Sequence, residues 1–278
     1  MNLGFRSFLL LSALLFVTSA GYAREWPDDP TNTRGAFGAP EDGHFSRGIT
    51  FRTEGQRVSS WNNGEVIWVS NTAEISRGTV PGSGLVVIEH DNGFRSSYRG
   101  IERRPDLGRL VSGGEWLGYA GGDDWIFELS DTERSRIIDP LSLLPTRNDM
   151  KAATTGRVEL LGSGNRIALS EGLELAPGRW TIVVNDVFSD DGSAIPLEIS
   201  LYWVGERIGA FRFDALSESD QGIVMEIPEP KSIESLYSPG GELWFTDVQL
   251  NAGKGILELR IRDETGRVIP RSWNLIIR

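Results

Sequence analysis

Cysteine is absent from the 278 residues, and histidine occurs only twice, as His44 and His90. The first absence excludes disulfides, a lipid-modified cysteine, thiolate metal sites and a cysteine nucleophile. The second means that any metal centre would have to be built from one histidine and carboxylates. Positive charge is also scarce. Lys and Arg number 28 against 39 Asp and Glu, a formal net charge of −11. Phosphate binding needs clustered Lys and Arg, so nucleic acid is not an expected partner, and anionic lipid or wall polymer is disfavoured. After the N-terminus no apolar run approaches the roughly 20 residues that a bilayer span needs, so the mature chain is not expected to cross a membrane.

The N-terminus itself reads as an address. Arg6 is a positive start, Phe8 to Thr18 an apolar stretch, and Gly21-Tyr22-Ala23 a small-residue cleavage site. Residues 1–23 are therefore expected to be a cleavable signal peptide. The apolar stretch is too short to serve as a membrane anchor. The protein is expected outside the cytoplasm, and the lack of a wall-anchor signal favours the periplasm over release.

What remains suits two modest domains, each able to bury its own core. A polar lead with Pro and Gly, residues 24–43, reads as an extended arm or loop. Short β-like runs follow. Gly64 to Val69 and Gly84 to Glu89 are β-branched and apolar, and Asp91-Asn92-Gly93 is a turn, because Asn-Gly tolerates positive φ. A boundary is expected near Leu144 to Thr155, giving a β domain over 44–148 and a second over 152–278. Alternation is cleaner in the second. In Leu197 to Trp203 and Leu257 to Arg262 apolar residues take the odd numbers, the mark of half-buried antiparallel strands. About seven such strands with regular turns predict an immunoglobulin-like β-sandwich. The fold class expected for the whole chain is all-β.

Several segments of the first domain recur in the order and spacing of a known family. They are Ser46-Arg47-Gly48-Ile49-Thr50-Phe51, then Gly55-Gln56-Arg57-Val58 with Gly64-Glu65-Val66, then Val87 to Phe94 followed by Tyr98. Gly114-Glu115-Trp116-Leu117-Gly118, Phe127-Glu128 and Ile138-Asp139-Pro140-Leu141 complete the series. Between Phe45 and Pro145 the chain thus resembles the lysostaphin-type (LytM-like) zinc endopeptidases, which cut cell-wall cross-bridges. The resemblance implies an antiparallel lysostaphin-like β-sheet domain. It also implies a set of functional positions, and this sequence departs from the family at every one. The three zinc ligands, two His and an Asp, fall on Ser46, Thr50 and Ile126, and two assisting His fall on Gly100 and Asp124. Zinc hydrolysis needs three good protein ligands and an open position for an acidified water. Ser and Thr hydroxyls are poor ligands and Ile126 is none, so no zinc or other cofactor is expected.

A rebuilt metal site from His44, Asp123, Asp124 and Glu128 is the alternative, since one His with carboxylates can bind a metal. Asp123-Asp124 also reads as an ordinary turn, and His90 as a structural residue at a strand end. No nucleophile-elbow motif supports a triad of Ser46 or Ser59 with His90. An inactive member keeps its groove. By the resemblance, Trp61, Tyr98, Arg99 and Trp125 lie on or near it, where aromatics and an Arg would grip a peptide or glycan. The first expectation is a non-catalytic envelope protein that binds peptidoglycan or regulates a cell-wall hydrolase, as some degenerate members of the family activate amidases. A metallopeptidase with an unusual site and a structural protein-interaction adaptor of the envelope are the other readings.

Overall fold

The structure, a computed structural model, describes residues 24–52, 55–70, 84–146, 153, 156–162, 164–188, 196–220, 222–226 and 229–278. The expected signal peptide and most of the expected domain junction lie outside them. The protein is all-β, with several antiparallel sheets. Among the described residues no helix is long and apolar enough to cross a membrane.

The first sheet is organised around the strand Asp124–Asp131, whose odd residues Trp125, Phe127, Leu129 and Asp131 are buried while the even ones are half-buried. On one side it pairs antiparallel with Phe94–Arg103, which pairs in turn with Gly84–Glu89 and that with Gly64–Ser70. On the other side it pairs with Ile49–Arg52 and Arg136–Ile138. The Asp91-Asn92-Gly93 turn closes as expected: His90 N–H donates to Phe94 O at 2.9 Å, and Gly93 takes a φ of 77°. Beneath the sheet lies a core of Phe51, Trp61, Tyr98, Trp125 and Phe127, all fully buried. Phe51 stacks on Trp125 with ring centres 4.6 Å apart.

The second half is a two-sheet β-sandwich. One sheet has four strands, with Gly178–Val184 between Val158–Gly162 and Leu243–Leu250. The other has five and contains Pro196–Trp203, Gly253–Asp263 and Val268–Ile277. The odd-numbered stripe is realised: Ile199, Leu201, Leu257, Leu259 and Ile261 are buried. Opposite them, charges pair on the wet face, as in Arg262–Glu198 at 2.6 Å. One pairing breaks the antiparallel pattern, Leu173–Leu175 alongside Val268–Ile277 in parallel.

The two halves interlock. The hairpin Ala215–Ser219 and Gly222–Met225 leaves the sandwich to extend the first sheet beyond Arg136–Ile138. In the other direction Phe37 and Phe45 join the sandwich core, and Tyr237 Oη donates to Gly38 O at 3.0 Å. The lead lies against this body. Thr33–Gly35 pairs with Ile49–Arg52, and Ser59 N–H donates to Pro27 O at 2.9 Å.

Candidate functional site

The alternation of the 124–131 strand fixes what the upper face of the first sheet displays. Because side chains two apart share a face, Asp124, Ile126, Glu128 and Ser130 point one way. Cross-strand register then sets them in rows. Leu85, Arg99, Ile126 and Thr50 form one row, Val87, Ser97 and Glu128 the next, and Glu89, Arg95 and Ser130 the third. Sequence positions far apart thus meet on one surface, among them the expected positions Thr50, Asp124 and Ile126.

Each expected position can now be placed. Thr50 and Ile126 are direct cross-strand neighbours, half-buried, and Gly35 of the lead stands opposite Thr50. Ser46 is buried, and its hydroxyl donates to Gly48 O at 3.3 Å. Asp124 Oδ2 is held by Arg34 Nη1 at 2.7 Å. Gly100 has a φ of 98°, and a Cβ there would meet Trp125 Cβ at 2.9 Å and its Cα at 3.0 Å. No side chain fits at residue 100 unless the backbone shifts, so the strand as folded calls for glycine there.

Two of the three carboxylates offered as replacement ligands, Asp124 and Glu128, are paired with arginines, and Asp123 is exposed. Glu128 is shared by Arg47 at 3.3 Å and Arg99 at 3.7 Å, and Asp124 by Arg34. His44 is exposed in the two-residue strand His44–Phe45, paired with Glu41. Among the described residues no group of three or more His, Asp or Glu could hold a metal. Guanidinium groups neutralise Asp124 and Glu128.

The expectation that Trp61, Tyr98 and Trp125 line a groove is corrected. All three are fully buried beneath the sheet, and of that set only Arg99 stands on the upper face. They act in the core through a polar thread. His90 Nδ1 donates to Asn63 O at 2.7 Å, so its Nε2 accepts from Ser96 Oγ at 2.8 Å. Ser96 Oγ lies 3.3 Å from Tyr98 Oη, which accepts from Trp61 N–H at 2.7 Å. Burial holds the His90 ring below its ordinary pKa and the Tyr98 phenol above its own. A neutral imidazole tied into the core is structural, as the sequence implied.

A large cleft opens beside Ser46, Thr50 and Asp124. Its volume is about 1020 Å³, and Ser46, Thr50 and Asp124 lie on one wall with Arg34. The opposite wall comes from the sandwich, through Asn185 to Phe188 and the Ser238–Glu242 loop. Sequence reasoning missed this wall and missed Arg34 and Arg47. Nothing local marks loops that meet only after the halves have docked.

No curated protein matches the chain. A protein-family model matches residues 155–278, the sandwich half, and attaches no description to them. Among solved structures, Csd3 from Helicobacter pylori is similar at 23% identity, over 46% of this chain and 34% of that one, with a TM-score of 0.36. A zinc containing peptidase from Vibrio cholerae is similar at 23% identity, over 40% of this chain and 37% of that one, with a TM-score of 0.31. A chain of the SpoIIIAH–SpoIIQ complex is similar at 17% identity, over 38% of this chain and 91% of that one, with a TM-score of 0.30. This chain therefore spans about a third of the Csd3 chain, and peptidases stand among its structural neighbours only at low identity.

Proposed function

We propose that this is an exported, non-catalytic, peptidase-like protein of the cell envelope, placed in the periplasm, whose cleft holds a wall-derived peptide or glycan strand or a segment of a wall hydrolase. The observation that carries this reading is the composition of the cleft wall. Where hydrolysis needs three metal ligands and an activated water, Ser46 donates to the Gly48 carbonyl, Thr50 faces Ile126, and Asp124 is paired with Arg34. The face retains a cleft of about 1020 Å³ and exchanges catalytic groups for hydrogen-bonding and ion-pairing ones. Such a surface binds through polar contacts and leaves the bond intact.

The test uses purified peptidoglycan and the mature protein, with added zinc and with chelator. Co-sedimentation with the sacculi and no release of soluble fragments under either condition is the expected result. Chelator-sensitive release would overturn the non-catalytic reading. Absence of co-sedimentation would turn the search to a wall hydrolase, assayed with and without this protein.

A further inference from the structure

The partition between the large cleft and a second hollow is the segment carrying Ser46 and Arg47. Ser46 lines the cleft and Arg47 the hollow. The hollow, of about 310 Å³, lies where the upper face meets the hairpin Ala215–Ser219 and Gly222–Met225. Its walls bring together Arg47, Arg95 and Arg136 from three separate segments, with the hydroxyls of Ser130, Thr132 and Ser217.

Each arginine is anchored at one end and leaves donors over. Arg47 Nη2 reaches Glu128 at 3.3 Å, and Arg95 Nη2 reaches Glu89 at 3.0 Å. Arg136 is held by Glu226 at 3.2 Å and by Asp131 at 3.5 Å, and Asp131 is also bound by Arg134 at 3.0 Å. The Arg95 Nε is buried and has no hydrogen-bond partner within the protein. A guanidinium offers five donors in a fixed plane, so one carboxylate does not satisfy it. Three guanidinium groups line the hollow with only Asp131 and Glu218 as acids on its wall, and Asp131 is already doubly paired. Each guanidinium already has a carboxylate partner, so what the hollow offers a ligand is unused planar N–H donors and not net positive charge.

The geometry points to this hollow as a carboxylate-binding site, in which Arg47 and Arg95 grip the terminal carboxylate of a peptide whose body lies in the adjoining cleft. This rests on the binding role proposed above and specifies its ligand chemistry. Arginine suits such a site because the fork matches the two oxygens of a carboxylate, which gives charge-assisted, bidentate bonds. The hollow's volume fits the end of a peptide, and the hydroxyls supply acceptors for its last amide N–H.

The test is calorimetric titration of the full mature chain with acetyl-alanyl-alanine, with its C-terminal amide, and with inorganic phosphate. The free acid is expected to bind, the amide at least tenfold more weakly, and phosphate only as a weak competitor. Arg47→Gln and Arg95→Gln are each expected to weaken the acid at least tenfold. Arg47→Lys, which keeps the charge and loses the fork, should recover only part of it. Arg179→Gln, on an exposed pair with Asp247 in the sandwich, should change nothing, and unfolding midpoints check that each variant is folded. Equal binding of acid and amide, unchanged binding by folded Arg47→Gln and Arg95→Gln, or tighter binding of phosphate than of the acid would overturn the proposal. Sacculus binding that persists in Arg47→Gln while the acid does not bind would overturn the hollow alone and leave the cleft's binding role standing.

Discussion

The two faces of the strand Asp124–Asp131 differ in what they tolerate. The odd face packs Trp125, Phe127 and Leu129 into a core of stacked and edge-on aromatics, with Tyr98 and Phe51 as neighbours. The even face carries Asp124, Ile126, Glu128 and Ser130, all half-buried, with Asp124 and Glu128 tied to arginines from other elements. Interiors are packed to crystal-like density, so the odd face accepts little change. The even face only needs its charges matched and its polar groups satisfied. The polar groups of such a sheet's upper face can therefore vary more freely than the aromatics of its lower face.

The largest effect should come from mixing those roles. Trp125→Ala removes the ring stacked on Phe51 and the indole N–H that donates to Asp28 Oδ2 at 3.0 Å. A fully buried aromatic truncated to Ala costs about 3–5 kcal/mol. Its neighbour Ile126, half-buried on the upper face, should cost about 1 kcal/mol or less when changed to Ala. Urea unfolding of the two variants measures the contrast directly. Similar costs would mean that the upper face is as much core as the lower.

That contrast was partly legible in the sequence. Period-two alternation in Trp125, Phe127 and Leu129 marks an inner face, and the same signal should have placed Trp125 there before any groove was considered. The family resemblance drew the aromatics Trp61, Tyr98 and Trp125 to the cleft, but the register of Phe94–Arg103 against Asp124–Asp131 puts Tyr98 beside Phe127 in the core. The sandwich strands with clean alternation were readable for the same reason as the sheet: one face is wet. The hairpin 215–225 was not. It extends the first sheet through a pairing with Arg136–Ile138, a contact spanning some eighty positions with no local sign. Arg34 and Arg47 escaped notice likewise, because their carboxylate partners Asp124 and Glu128 are distant in the chain.

A second contrast sets the pH dependence of stability. Asp139 caps the short turn Pro140–Ser142, accepting from Leu141 N–H at 3.0 Å, and is fully buried. Burial, with Asp214 and Glu264 near, pushes its carboxyl up to about 8. A raised carboxyl pKa means that the folded state holds a proton which the unfolded chain releases near pH 4. Its contribution is complete below that pH and is lost as pH rises through about 8, at up to about 1.4 kcal/mol per pH unit. His90 acts in the opposite sense. Its lowered pKa contributes stability present above 6.5 and lost as pH falls through the folded value. Unfolding midpoints should therefore fall as pH rises from about 4 to about 8, with the His90 contribution opposing that fall below 6.5. Asp139→Asn keeps an acceptor for Leu141 N–H and removes the titration, so it should abolish the fall toward alkaline pH and expose the His90 decline toward acid pH below 6.5. An unchanged alkaline decline would place its cause at another group.

The smallest stability effect should be the most informative about function. Arg34 and Asp124 form a partly exposed pair at the edge of the cleft, and exposed ion pairs are worth about 0–1 kcal/mol. Arg34→Gln should leave the unfolding midpoint nearly unchanged. The substitution nevertheless frees Asp124 on the cleft wall and removes a cation that a bound peptide or glycan would meet. If the upper face is a binding surface, co-sedimentation with sacculi should fall several-fold in a protein as stable as its parent. A loss of stability of 2 kcal/mol or more would instead show that the pair holds the lead strand Thr33–Gly35 in place, and that on this edge fold and binding have not separated.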